Sequence, residues 1–278
     1  MGEKAKVDLG KVQETLLIPL YGRAVETRKR RPLLSDPKAV EMVAAIDYDF
    51  HKFDRSTSLV GSVLRTVMLD EWIKDFLAAH PTGTVVEIGA GLNTRFERLD
   101  NGQLRWFDVD LPDSVALRNR FFTDSARRTT VAASVLDESW ITRVKESNGP
   151  FFIVVEAVLL YLAEDEVKQA LSRIAQEFPG ARVAFDTAGT LMVRNQHRHD
   201  VMKDMAAQFS WACDEPERLE RWVPGLRLLE TRTYAEAQET LWSKLPLYLR
   251  VLSHVGPLLF KRFVNAYRLN LFEVLPRA

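Results

Sequence analysis

Residues 84–110, TVVEIGAGLNTRFERLDNGQLRWFDVD, hold an apolar strand, a glycine-bearing turn and a second apolar strand that ends on a carboxylate. This order constrains the fold more than any other feature of the chain. Thr84 to Ile88 is rich enough in β-branched residues for a buried strand, and Gly89-Ala90-Gly91 lets the backbone turn sharply and approach a ligand where a Cβ would collide. The second run, Leu104 to Val109, leads into Asp110, about twenty residues beyond the glycines, where an acid can accept hydrogen bonds from a ribose diol. A dinucleotide fingerprint, G-x-G-x-x-G, would need a glycine where Thr94 stands. The missing glycine argues against a pyrophosphate on the helix N-terminus. What is left is E-x-G-x-G, Glu87 to Gly91, a form that goes with a nucleoside lacking phosphates, S-adenosylmethionine.

The rhythm continues downstream. LVGSVLRTVMLDEWIKDFLAAH sets Leu59, Val63, Val67, Ile73 and Leu77 near one helical face, and Pro81-Thr82-Gly83 stops it before the first strand. Arg128 to Ser134, Phe151 to Glu156 and Arg182 to Thr187 read as strands, and AEDEVKQALSRIAQEF as a helix with its acids first. Such alternation signals a parallel sheet covered on both faces. Residues 190–222 then read as helical, after which Arg227 to Thr233 is a strand, Trp242 to Val264 mostly helix and Tyr267 to Val274 a final strand near the sheet edge. The expected fold class is α/β and Rossmann-like: a seven-stranded, mostly parallel sheet with helices on both faces. Residues 1–80 form a helical N-terminal cap and 81–278 the core, with a helical insertion at 190–222 after the fifth strand as a candidate lid.

Charge and cysteine usage narrow the functional classes. Lysine plus arginine, 38, equals aspartate plus glutamate, 38, so no global attraction to nucleic acid or to a membrane surface is implied. The basic run Arg28-Lys29-Arg30-Arg31 reads as a solvated loop or helix end. Charges break every apolar stretch well before a bilayer's thickness, and MGEKAKVDLGK lacks the apolar core of a secretory signal. Cys213 is the single cysteine, which excludes an internal disulfide and a cysteine-based metal cluster and makes a cytoplasmic location the default. Its neighbours in SWACDEPE are acidic and disfavour a thiolate nucleophile.

VVEIGAGLNTRFERL, WFDVDLPDSVALR and VVEAVLLYL, in that order, resemble the leucine carboxyl methyltransferase family of class I S-adenosylmethionine-dependent enzymes. They are most similar to its branch of polyketide O-methyltransferases. ETLLIPLYGRAVETRKRRPLLSDPKAVEMV and the DEW after Arg65 belong to the same pattern, so the match spans at least residues 13–165. The resemblance implies that Gly89 and Gly91 pass beneath the methionine moiety, with Glu87 opening the motif, and that Asp110 takes the ribose hydroxyls. It further implies that Arg65 pairs with the cofactor carboxylate, Ser134 and Val135 hold the adenine with Leu136-Asp137 following, and Glu156 faces the ammonium or sulfonium side. Arg23 is a supporting candidate, and Tyr161 is either core or substrate pocket. Two positions depart from the pattern: Asn93 stands where aspartate is usual, and Ala157 where glycine is usual.

Methyl transfer is an in-line displacement, so much of the catalysis comes from geometry and exclusion of water. A carboxylate acceptor is already ionised and needs a cationic clamp, whereas a phenol gains from a positioned base. MVRNQHRHD offers both kinds of group: Arg194 and Arg198 as substrate-binding candidates, His197 and His199 as catalytic ones. No second group of ligands accompanies the H-x-H pair, so no metal is expected. His51 and His254 receive no role. The expected function is S-adenosylmethionine-dependent O-methylation of a small-molecule hydroxyl or carboxylate, polyketide-like, without a nucleic-acid or membrane partner. Alternatives are a protein C-terminal carboxyl methyltransferase, a non-catalytic cofactor binder and, less favoured because of Thr94, a dehydrogenase.

Overall fold

The computed structural model describes residues 4–7, 9–10, 13–54, 56, 58–198, 205–234, 236 and 266–276. The helix expected at Trp242 to Val264, and with it His254, lies outside the described residues, as does His199. The N-terminal region pairs two short strands, β1 (Ala5–Lys6) and β2 (Ile46–Asp47), in parallel. Between them come a 3-10 turn (Gln13–Leu16), α1 (Leu17–Thr27) and α2 (Pro37–Ala45). Asp36 starts α2 by accepting a hydrogen bond from the Ala39 amide at 2.9 Å, with Pro37 in the first turn where its missing N–H costs nothing. A 3-10 turn (Phe50–Phe53) leads into α3 (Ser58–Ala79).

The core then alternates: β3 (Thr84–Ile88), α4 (Arg95–Leu99), β4 (Arg105–Asp110), α5 (Pro112–Arg118), β5 (Arg128–Ala132), α6 (Ser139–Lys145), β6 (Phe151–Val155), α7 (Glu164–Glu177) and β7 (Arg182–Ala188). It ends with α8 (Thr190–Arg194), α9 (Leu219–Trp222), β8 (Leu226–Thr233) and β9 (Tyr267–Val274). These seven strands form one sheet in the order β5-β4-β3-β6-β7-β9-β8. The first five run parallel, and β9 lies antiparallel between β7 and β8. The edge is therefore β8, which bulges between Leu228 and Glu230, and β9 is one strand in from it.

Alternate residues of each central strand feed two cores. Val86, Ile88, Ile153, Val155, Val183 and Phe185 pack with α6, α7 and α9 on one face. Val85, Phe152, Val154 and Ala184 pack with Leu69, Trp72, Ile73 and Phe76 of α3 on the other. Burial on both faces is why these strands read as unbroken apolar runs. Helix α3 thus closes the helical cap and covers the sheet. A third cluster, with Leu17, Leu20, Ala39, Met42 and Phe50, joins α1 and α2 to Leu92 and Leu117 of the core.

Among the described residues of 190–222, the two ends carry short helices and 205–215 does not. The 3-10 turns Gln196–Arg198 and Pro216–Arg218 accompany α8 and α9, whereas 205–215 is irregular, with Met205, Ala207, Phe209, Trp211 and Cys213 buried alternately. That period of two is the strand-like signal hidden in MAAQFSWAC. Its amides are satisfied by the neighbouring loops, Ser210 N by Leu160 O at 2.8 Å and Cys213 N by Ala188 O at 2.8 Å. No helix among the described residues is long and apolar enough to cross a membrane.

Candidate active site

Chain direction reverses its progress across the sheet at β3. The chain moves outward from β3 to β4 and β5 and returns to β6 on the other side, so the loops after β3 and β6 diverge and leave a crevice at their carboxyl ends. The glycine turn sits there. Gly89 (φ +72°) and Gly91 (φ +45°) adopt backbone angles that side-chain-bearing residues rarely take. At Gly89 a Cβ would lie 2.1 Å from Val158 Cγ2, and at Gly91 3.1 Å from Leu16 Cβ. The turn is sewn to β4 by Gly89 N donating to Val109 O at 2.8 Å, and from beneath Arg118 Nη1 donates to Gly91 O at 2.7 Å.

Asp110, at the end of β4, closes the turn. Its Oδ2 accepts from Gly91 N at 2.6 Å and its Oδ1 from Leu111 N at 2.7 Å. Burial pushes the carboxyl above its usual range, and the two amides, the Ser114 side chain and Arg118 pull against that. A carboxylate can accept about four hydrogen bonds, so capacity remains for a ligand hydroxyl. Next to it, Ala133 N donates to Asp110 O at 2.8 Å and anchors the tight turn in which Ser134 N donates to Asp137 Oδ2 at 2.7 Å. Val135 is buried in the adjoining core.

Behind the glycine turn lies a chain of buried charges. Glu156, directly after β6, accepts from Arg65 Nε at 2.8 Å and Thr66 Oγ1 at 3.0 Å on one oxygen, and from Arg95 Nη2 on the other. Burial alone would raise its pKa, but Arg65 and Arg95 outweigh that and hold the carboxyl well below the usual range. Arg95, fully buried, also pairs with Glu87 Oε1 and, at 2.6 Å, with Asp70 Oδ1 on α3. Arg98 continues to Asp70 at 2.9 Å, and Thr94 Oγ1 donates to Asp36 Oδ2 at 2.6 Å, where Arg23 Nε also binds at 2.8 Å. Arg23 Nη2 donates in turn to Leu92 O in the glycine turn at 2.8 Å. At the other end, Arg65 Nη1 reaches Tyr267 Oη at 3.0 Å and lies 3.7 Å from Asp186 Oδ2. Glu87 also faces Asp108 and Arg118, and Asp108 pairs with both Arg118 at 2.8 Å and Arg128 at 2.7 Å, so the buried charges continue beneath β4.

Arg65, Glu87, Gly89, Gly91, Asp110 and Glu156 therefore meet at one edge of the sheet, and Ser134 and Val135 flank it beyond Asp110. Tyr161 is half-buried, its ring 5.3 Å from that of Phe209 and its hydroxyl bonded to Thr15. Arg194, His197 and Arg198 differ: all three are exposed, and among the described residues none pairs with the charge cluster. A short helix and a 3-10 turn project them outward instead of one polar helix face turned inward. His51 is exposed beside Asp54, and Cys213 is buried with its thiol pushed up to about 11 by burial.

Arg95, Asp70, Asp186 and Tyr267 escaped the sequence reading. The signal for Asp186 was present: a carboxylate at the end of the apolar run RVAF is the same costly arrangement that marks Glu156.

The chain matches the leucine carboxyl methyltransferase family over residues 17–175. It is 36% identical over 232 residues to the tetracenomycin polyketide synthesis O-methyltransferase TcmP of Streptomyces glaucescens, covering 83% of this chain and 85% of that protein. It is 30% identical over 253 residues to the S-adenosyl-L-methionine-dependent methyltransferase dpfgK of Gibberella zeae, covering 82% and 84%. Among solved structures, a DUF574 family protein from Streptomyces avermitilis superposes with a TM-score of 0.58 at 13% identity, over 96% of this chain and all of that one, a likeness of fold. With the family pattern spanning cap, glycine turn and Glu156 loop alike, the chain belongs to the leucine carboxyl methyltransferase family.

Proposed function

We propose that this protein transfers a methyl group from S-adenosylmethionine to an oxygen atom of a small, polyketide-like acceptor. The observation that carries the reading is Asp110, which braces the Gly91 amide and sets a carboxylate at the end of β4, beside the glycine turn, where a ribose diol would be held. When bound, S-adenosylmethionine supplies a methyl group activated on a positively charged sulfur. Gly89 and Gly91 provide the close backbone approach, Asp110 the ribose contact, and Ser134 and Val135 the adenine edge. Arg65 offers its guanidinium to the cofactor carboxylate, and Glu156 its negative field to the ammonium and sulfonium.

What the chain contributes to the transfer step is orientation and dryness. Leu16 and Val158 pack directly on the glycine turn. The 1–80 cap and the 190–222 insertion act as a lid, and the exposed Arg194, His197 and Arg198 are its candidates to meet the acceptor from the solvent side. Support for the oxygen acceptor comes from the likeness to TcmP, whose name states O-methylation in tetracenomycin polyketide synthesis. Incubation with methyl-labelled S-adenosylmethionine and extracts of candidate acceptors tests this. Label should enter small molecules, on oxygen, as an alkali-labile ester or an alkali-stable ether. Label in protein would favour carboxyl methylation of a polypeptide, and label on nitrogen or carbon would overturn the oxygen assignment.

A further inference from the structure

We propose that Tyr267, backed by Asp186, is a positioning residue that aims Arg65 at the cofactor carboxylate; this rests on the role given to Arg65 above. The argument begins with the guanidinium. Arg65 rises from α3 and is tied at two non-parallel points, Nε to Glu156 Oε1 at 2.8 Å and Nη1 to Tyr267 Oη at 3.0 Å. Two such anchors fix both the plane and the rotation of a planar fork. Among the described residues no partner is recorded for Nη2, which leaves that edge of the fork to an anionic ligand.

Tyr267 has one hydroxyl proton, and its direction is determined. The hydroxyl donates to Asp186 Oδ2, so it can only accept from Arg65. Asp186 is fully buried and held on its other oxygen by the Ala157 amide at 2.8 Å. The antiparallel register makes the contact possible: Tyr267 lies opposite Ala188 and Asp186 opposite Leu269, so the ring and the carboxylate share one face as diagonal neighbours. The ring is itself clamped by Tyr234, stacked at 5.3 Å with an interplanar angle of 4°.

The hydroxyl also keeps two charges apart. Asp186 Oδ2 lies 3.7 Å from Arg65 Nη1, close enough to compete for it if nothing intervened. With the hydroxyl in place, the charge of Asp186 is absorbed by one O–H and one N–H, and Arg65 is not drawn further into the sheet. Without it, the guanidinium closes on Asp186 and turns from the site.

Calorimetric titration of wild type, Tyr267→Phe and Arg65→Gln with S-adenosylmethionine and with its decarboxylated analogue tests the proposal. Phenylalanine keeps the stacked ring and removes only the hydroxyl. Expected is a loss of about tenfold in affinity for S-adenosylmethionine in Tyr267→Phe, with the decarboxylated analogue unaffected, and at least as large a selective loss in Arg65→Gln. Selective loss in Arg65→Gln with none in Tyr267→Phe would overturn the positioning role while leaving Arg65 as the carboxylate partner. No selective loss in either variant would remove Arg65 from the cofactor site and the proposal with it. Equal weakening of both ligands in Tyr267→Phe, or loss of cooperative unfolding, would mark Tyr267 as a determinant of the fold alone.

Discussion

Three residues depart from the usual patterns, and the structure gives each a physical reason. Thr94, in place of a third glycine, uses its hydroxyl to bind Asp36 of the cap and to accept from Arg98 Nη1 at 2.6 Å. Asn93, where aspartate is usual in the family, donates from Nδ2 to Glu87 Oε1 at 2.7 Å, whereas an aspartate would face Glu87 with a like charge. Ala157, where glycine is usual, holds φ at +54° so that its amide reaches Asp186. A left-handed conformation costs a non-glycine residue about 1–2 kcal/mol, and glycine gives back about 0.5–1 kcal/mol in unfolded-state entropy. Ala157→Gly should therefore leave stability unchanged or raise it by about 1 kcal/mol in denaturant unfolding. A loss of stability would show that the methyl group packs better than the backbone strain costs.

At the scale of elements, strands were read from sequence more faithfully than charges. Thr84–Ile88 and Tyr267–Val274 match their expected bounds: the first is a β-branched run ended by the glycine turn, and in the second apolar Tyr267, Leu269 and Leu271 alternate with polar Arg268 and Asn270. The place of β9 was less legible: that it sits between β7 and β8 depends on a long-range antiparallel return with no local mark. The expectation of helix across 190–222 fails at 205–215, where burial of every second side chain overrides local helix preference. Of the candidate site, the parts carried by motifs were visible. The salt-bridge network was not, because its members come from α1, the start of α2, α3, α4, β3, β7 and the loop after β6 and become neighbours only once the sheet is built.

That network makes a pH-dependent claim about β3. Burial pushes the Glu87 carboxyl up, Arg95 opposes this, and Asp108 and Glu156 add to it, with the balance at about 7. A carboxyl whose folded pKa is raised favours the native state while it holds its proton. Its contribution is full below the unfolded value of 4.5 and is lost as pH rises through about 7. The stability of wild type relative to Glu87→Gln should thus be flat below the unfolded value and decline from there through neutral pH. A wild type that gains on the variant as pH rises to the unfolded value of 4.5 and is flat from there through neutral pH would mean Arg95 holds Glu87 ionised.

Across the whole molecule, the N-terminal segment and the sheet edge form one structure. Gly10 N donates to Asp113 Oδ2 at 2.9 Å, Leu16 covers Gly91, the Thr15 side chain meets Tyr161, and Arg23 holds the Leu92 carbonyl. The cap therefore touches the loops after β3, β4 and β6, the three that carry the proposed cofactor contacts. The proposed cofactor is a nucleoside with a positively charged sulfonium end and no phosphates. Asp110 sits where that claim is most exposed, since it braces the turn and offers the ribose contact at once. Calorimetric titration of wild type and Asp110→Ala with S-adenosylmethionine and with NAD tests it most directly. The account predicts that wild type prefers S-adenosylmethionine and that Asp110→Ala weakens its binding by about 1.5–3 kcal/mol; a preference for NAD, or an affinity unchanged in the variant, would contradict it.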